Sequence, residues 1–106
     1  AHAPPLWPLE TLNGLMMAER RGRLDAQRRR EMASLLRDLP ITLDAEMTSQ
    51  VWDTTQRLAE RFRLTIYDAV YLELAQRKHL PLASLDKDLR QAGAALGVAL
   101  LGNDPA

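Results

Sequence analysis

The chain of 106 residues has the length of one domain, and its apolar fraction of 46% predicts a packed core and excludes a disordered chain. Basic and acidic residues number 14 each, so any nucleic acid or anionic membrane has to be held by a local patch. The absence of cysteine excludes disulfides, thiol catalysis and cysteine-bound zinc.

Helical spacing of apolar residues predicts two helices in the first part of the chain. Pro8 suits the first turn of a helix that we expect over residues 8–21. Asp25 can cap a second helix, which Pro40 stops. The next residues, "ITL" at 41–43, are a candidate for a short strand.

Helices and short apolar runs alternate in the remainder of the chain. Asp44 can cap a third helix, and Thr65 opens a fourth that runs to about Lys78. Two apolar runs, at 80–85 and 98–101, are consistent with buried parallel strands on either side of a further helix. The order α-α-β-α-α-β-α-β predicts an α/β fold with a parallel sheet, although so few short strands suggest that a strand is missing.

Three carboxylates lie at predicted helix starts. Asp68 follows Thr65 by three residues, which is the spacing of a capping box. Glu10 stands in the first turn of its helix, and Asp86 can cap the helix after a predicted strand. Each of these acids, taken singly, is more often a helix-start residue than a catalytic one. Ligands in open α/β sheets, however, bind outside the carboxyl ends of the strands, which is where we expect Asp86.

A crevice that holds several of these carboxylates needs a cation. Two carboxylates about 5 Å apart repel by roughly 3 kcal/mol at an effective dielectric near 20, which exceeds what a helix cap returns. Because histidine occurs only at positions 2 and 79, the ligands would be oxygen atoms, and these suit Mg²⁺ or Mn²⁺ rather than zinc. A helix start favours the ionised carboxylate that a metal needs, so the cap and metal interpretations are compatible.

The segment "LTIYDAVYLELAQRKHLPLASLDKDL" resembles the C-terminal half of a PIN-domain ribonuclease of the VapC toxin type, and "LWPLETLNGL" resembles the earlier acidic helix of that family. The resemblance implies a three-layer α/β sandwich with a short parallel sheet. It implies acidic residues that bind Mg²⁺ or Mn²⁺ and cleave single-stranded regions of RNA. Under this resemblance Glu10, Asp68 and Asp86 are the catalytic and metal-binding residues. Asn13 and Ser84 then support the site.

The family pattern begins with a central strand that carries a first aspartate, and nothing like it precedes "AHAPPLW". We therefore expect a PIN-like domain over residues 1–106 that is incomplete at the N-terminus, binds metal weakly and cleaves little or no RNA. The resemblance also implies an antitoxin partner and a homodimer. The rival interpretation is a non-catalytic PIN-like module that dimerises or binds an antitoxin-like peptide, through strand edges or through the apolar first two helices.

The sequence also bears on cellular location. No apolar run approaches the roughly 20 residues that span a bilayer, and the start of the chain lacks the basic and apolar regions of a signal peptide. The absence of cysteine agrees with a reducing compartment. We therefore expect a soluble cytoplasmic protein with no membrane partner.

Overall fold

The structure is a computed structural model, and it describes residues 1–102. One compact unit comprises Ala1–Leu43, and a second begins at Asp44. The single domain expected from chain length stays a prediction, because two compact units can belong to one fold. Within the described residues, no helix is long and apolar enough to cross a membrane.

The first unit is a helical hairpin between two short parallel strands. Its elements are β1 (His2–Ala3), α1 (Trp7–Arg20), α2 (Ala26–Arg37) and β2 (Thr42–Leu43). In the sheet His2 lies opposite Thr42, and the N–H of Thr42 donates to the carbonyl of Ala1 at 2.8 Å. The predicted strand at 41–43 is confirmed as β2. The strand β1 was not predicted, because two residues are too few to show a period.

Local sequence signals account for both helices of this unit. Pro8 stands in the first turn of α1, where its missing N–H costs no hydrogen bond. At the start of α2, the carboxylate of Asp25 accepts a hydrogen bond from the N–H of Arg28 at 2.7 Å, which confirms the predicted cap. An ion pair of 2.7 Å between Arg29 Nε and Glu19 Oε1 joins the two helices near their turn.

The second unit is mostly helical. Its helical elements are α3 (Met47–Gln50), a π-helical segment (Val51–Thr55), α4 (Gln56–Phe62), α5 (Ile66–Lys78) and α6 (Lys87–Ala95). The first three follow one another without a gap and occupy the place of the predicted third helix. The predicted fourth helix is confirmed as α5, which begins after its cap Thr65.

The prediction that Asp44 caps the third helix is wrong. The residue before that helix is Glu46, whose side chain forms no cap hydrogen bond. Asp44 is buried instead, and its carboxylate binds the guanidinium of Arg77. Leaving a buried charge unpaired costs several kcal/mol, whereas a helix cap stabilises by about 1 kcal/mol. The ion pair with Arg77 is therefore more favourable for Asp44 than a capping position.

The core of the second unit surrounds α5. Ala69 and Leu72 are 0% exposed, and α5 is buried around most of its circumference. This burial explains why the sequence of α5 is apolar on nearly every side. The core cluster consists of Leu58, Ala59, Ala69, Leu72, Ala75, Leu82, Leu89 and Ala92.

The two apolar runs predicted as strands at 80–85 and 98–101 reduce to one parallel bridge between Leu82 and Leu100. The N–H of Leu82 donates to the carbonyl of Ala99 at 2.8 Å. The location and the parallel direction of these two strands were therefore predicted correctly. Their length was not, because an apolar run indicates burial rather than strand pairing. With β1 and β2, this bridge confirms the α/β class with a short parallel sheet.

Candidate functional site

Asp68 lies in the first turn of α5, where Thr65 is the N-cap. The hydroxyl oxygen of Thr65 accepts a hydrogen bond from the backbone N–H of Asp68 at 3.1 Å. This bond uses the backbone of Asp68 and leaves its carboxylate outside the cap. The side chain is half-buried, so the carboxylate stands at the edge of the unit with oxygen atoms that a cation can approach.

Asp86 and Ser84 form the turn that leads into α6. The N–H of Asp86 donates to the hydroxyl oxygen of Ser84 at 3.0 Å, and Asp86 Oδ1 accepts a hydrogen bond from the N–H of Leu89 at 2.8 Å. Asp86 is therefore the N-cap of α6, as predicted, and its Oδ2 atom takes no part in that bond. The residue is exposed, which gives Oδ2 access to solvent or to an ion.

Glu10 and Asn13 lie on α1 in the first unit, one turn apart and both exposed. Asp68 and Asp86 belong to the second unit. Through the range 1–102, no three His, Cys, Asp or Glu residues are grouped so that they could hold a metal ion. The assignment of Glu10, Asp68 and Asp86 as metal ligands stays a prediction. The donor set consists of carboxylate oxygens, which fits Mg²⁺ or Mn²⁺.

A charged cluster in the second unit was not predicted from the sequence. Arg77 Nε donates to Glu73 Oε1 at 2.6 Å, and Nη1 donates to Glu46 Oε2 at 2.8 Å and to Asp44 Oδ1 at 3.2 Å. The side chains of Asp44 and Glu73 are only 3% and 4% exposed. The available signal was Glu73, a charged residue four positions before Arg77 and flanked by leucines on both sides.

The charges of this cluster stabilise one another. Burial raises the pKa of Asp44, but hydrogen bonds from the Arg77 guanidinium and the Glu46 N–H, with the Arg77 charge, outweigh burial and hold that pKa below its ordinary 3.8. Hydrogen bonds to Asp44 and Glu73 raise the pKa of Arg77. The cluster therefore fixes the start of the second unit to the last turns of α5, which is a structural role.

An apolar groove lies between α1 and α2 in the first unit, with a volume of about 390 Å³. Leu12, Leu39 and Leu43 in its lining are 46%, 48% and 43% exposed. Trp7 adds an aromatic wall, and Arg37 places a positive charge in the lining. Exposed apolar patches of this kind are typical of surfaces that bind another protein.

The chain thus combines a mixed α/β fold with three acidic residues, Glu10, Asp68 and Asp86, in or at the first turns of helices. A family model for the PIN domain matches residues 1–95, which is most of the chain. The chain belongs to the PIN-domain family. PIN domains are in general nucleases that depend on a divalent metal ion. A comparison with curated proteins found no match.

Proposed function

We propose that this PIN domain is a metal-dependent endoribonuclease of the VapC type, the toxin of a type II toxin–antitoxin pair, and that it cleaves single-stranded regions of RNA in the cytoplasm. The observation that carries the proposal is the PIN match over residues 1–95. It is supported by Asp68, whose carboxylate lies outside its helix cap, and by Asp86, which keeps one oxygen outside its own cap.

The proposal gives each predicted site residue a role. Asp68 is the principal metal ligand among the described acids, and Asp86 and Glu10 orient water or a second ion. Ser84 supports Asp86 through the 3.0 Å hydrogen bond from the N–H of Asp86, and Asn13 stands one turn after Glu10 on the same helix face. The chemistry that Mg²⁺ or Mn²⁺ supplies when bound is polarisation of the phosphodiester and activation of water for in-line attack.

The VapC-type pattern includes a further acid on a strand N-terminal to these residues. The proposal assigns full activity to a protein that contains this strand. For residues 1–106 alone we expect weak binding of Mn²⁺ and little cleavage of RNA, because no residue of this sequence matches the first acid of that pattern.

The test compares Asp68→Asn with a matched control, Asp53→Asn. Asp53 is an exposed acid of the same unit that pairs with Arg57 and has no part in the proposed site. Mn²⁺ binding is measured by titration calorimetry, and cleavage of a fluorescent single-stranded RNA is followed with and without Mn²⁺. In a protein that also contains the N-terminal strand, we expect Asp68→Asn to lose saturable Mn²⁺ binding and all metal-dependent cleavage, and Asp53→Asn to keep both. Equal binding and cleavage by Asp68→Asn and the wild-type chain would contradict the assignment.

A second candidate function is a non-catalytic PIN module that forms a homodimer or binds an antitoxin-like peptide. The observation that favours it is the groove between α1 and α2, whose exposed leucines suit the apolar face of a partner helix. Both functions are compatible, since a toxin binds its antitoxin as well as its substrate.

Self-association tests the homodimer part of this candidate. Leu12→Glu places a charge in the groove, whereas Leu35→Glu changes a leucine that is 71% exposed and lies outside the groove lining. Analytical ultracentrifugation should show that Leu12→Glu weakens self-association and Leu35→Glu does not. A wild-type chain that stays monomeric at about 100 μM would exclude a homodimer of ordinary micromolar affinity.

A further inference from the structure

We infer that Arg90 is a positioning residue that holds the turn carrying Asp86 in the orientation required by the proposed nuclease site. The inference rests on the proposed function for its chemistry and on contacts within the second unit for its geometry. Arg90 lies in α6, four residues after Asp86. No role for this residue follows from the sequence pattern, because an arginine inside a helix is usually exposed.

The Arg90 side chain holds the turn through its Nη1 atom, which donates to the carbonyl of Ser84 at 2.9 Å. The backbone N–H of Arg90 donates to the carbonyl of Asp86 at 3.0 Å, which is the ordinary bond of a helix and does not depend on the side chain. The same Nη1 atom donates to the carbonyl of Leu101 at 2.8 Å. The Arg90 guanidinium therefore connects Ser84, at the start of the turn, to Leu101, which follows the bridge at Leu100.

The turn depends on these hydrogen bonds because its side chains are poorly packed. Leu85, between Ser84 and Asp86, is 97% exposed and adds almost no buried contact. The remaining bonds of the turn are those from the Asp86 N–H to the Ser84 hydroxyl and from the Leu89 N–H to Asp86 Oδ1. Arg90 anchors the Ser84 carbonyl, the starting point of this chain of bonds, and so fixes where the Asp86 carboxylate points.

The burial of Arg90 is unfavourable for the free energy of folding. It is 5% exposed, and across the described part of the chain its Nε atom has no hydrogen-bond partner. Burial of a charged group with an unmet donor is unfavourable. Its place in the first turns of α6 adds repulsion from the positive end of the helix dipole.

The test uses Arg90→Met and Arg90→Lys, with Arg57→Met as the control. Arg57 is exposed and pairs only with its helix neighbour Asp53 among the described ion pairs. Amide hydrogen exchange is measured by NMR at Asp86, at Leu89 and at Leu72 in the core, and Mn²⁺ alone is the binding probe in calorimetry. Arg90→Lys keeps the positive charge, and it is the variant to measure if Arg90→Met does not fold.

In Arg90→Met the amide hydrogens of Asp86 and Leu89 should exchange at least about 10-fold faster, because the turn opens without unfolding of the whole unit. The exchange rate of the Leu72 amide should be unchanged. Mn²⁺ affinity should fall about 10- to 100-fold, the usual effect of removing a residue that orients a metal ligand. Arg90→Lys should recover part of both effects, and Arg57→Met should show neither.

Three results overturn the inference: unchanged exchange at Asp86 and Leu89, an equal acceleration at Leu72, and unchanged Mn²⁺ affinity despite faster local exchange. The equal acceleration would mean that Arg90 stabilises the whole unit rather than the turn. A wild-type protein that contains the N-terminal strand and still binds no Mn²⁺ overturns the proposed function instead. In that case the exchange rates alone decide whether Arg90 anchors the turn at Asp86.

Discussion

Replacement of Arg77 by methionine should cause a large loss of stability. Methionine retains much of the side-chain length and apolar contact but removes the guanidinium. In the wild-type chain this guanidinium contacts the carboxylates of Asp44, Glu46 and Glu73. Without it, the Asp44 and Glu73 carboxylates, at 3% and 4% exposure, are left without a positive partner.

The magnitude follows from the burial of these two carboxylates. Removing one partner of a buried ion pair costs about 3–5 kcal/mol, because the remaining charge is neither solvated nor paired. A domain of this size has a free energy of unfolding of about 5–15 kcal/mol, so Arg77→Met should lose a large fraction of it. The control, Arg57→Met, breaks a pair whose side chains are 75% and 60% exposed, and it should cost at most about 1 kcal/mol.

The loss of stability in Arg77→Met should depend on pH in a definite direction. In the wild-type fold the pKa of Asp44 is below its ordinary 3.8, so its contribution to stability is complete above that pH and is lost as the pH falls through the folded pKa. In Arg77→Met the hydrogen bonds and the charge of Arg77 are lost, so burial of Asp44 is opposed only by the Glu46 N–H and the charge of Lys78, and the pKa of Asp44 is higher than in the wild-type fold. The folded variant therefore takes up a proton at a higher pH than the wild-type fold does. The stability difference between the two proteins should therefore shrink between about pH 7 and pH 4.

Urea denaturation followed by circular dichroism at these two pH values measures both effects. The expected result is a loss of about 3–5 kcal/mol at pH 7 that becomes smaller at about pH 4. The reasoning is refuted if Arg77→Met costs no more than Arg57→Met at pH 7. It is also refuted if the difference stays constant or grows as the pH falls.

Substitutions at three further positions test local features by the same denaturation assay. Thr65→Ala removes the hydroxyl that caps α5 and should cost about 1 kcal/mol, whereas Thr65→Ser should cost less because it keeps the oxygen. Gly93→Val should cost about 1–3 kcal/mol, since a Cβ there would lie 3.1 Å from the side chain of Leu82. Gly14→Ala should add about 0.5–1 kcal/mol, because a Cβ meets nothing within 4 Å in the middle of α1. A destabilised Gly14→Ala variant, or a stabilised Gly93→Val variant, would contradict the packing described for these helices.

The helix starts were predictable because their signals are local. Asp25, Thr65 and Asp86 each accept a hydrogen bond from an N–H three residues later, and that partner is fixed by helix geometry alone. Asp44 has the same residue type before a helix, yet its partner Arg77 is 33 residues away. No local pattern reports such a pairing, so the cap prediction was wrong at the position where a long-range ion pair competes with it.

The strands were predictable only in part, for a different reason. Burial of Leu82 follows from an apolar run, but its pairing depends on where Leu100 comes to lie. In the same way, β1 is formed by two residues whose strand conformation is fixed by the partner strand β2. Sequence therefore predicted the class and the parallel direction, whereas the extent of pairing is set by packing of the helices on either side.

The candidate site combines both kinds of information, and Asp86 shows how. Its identity as a helix cap is local, and the cap occupies Oδ1 through the Leu89 N–H. The proposed role of Asp86 as a metal ligand uses Oδ2, the oxygen outside the cap bond, and the turn that carries it includes hydrogen bonds of Ser84 and Arg90. A cap alone does not need a buried arginine behind it, because the helix geometry already supplies the N–H donor. The unfavourable burial of Arg90 therefore suggests that the Asp86 carboxylate must be held in one orientation for a role besides helix capping. Coordination of a cation is such a role.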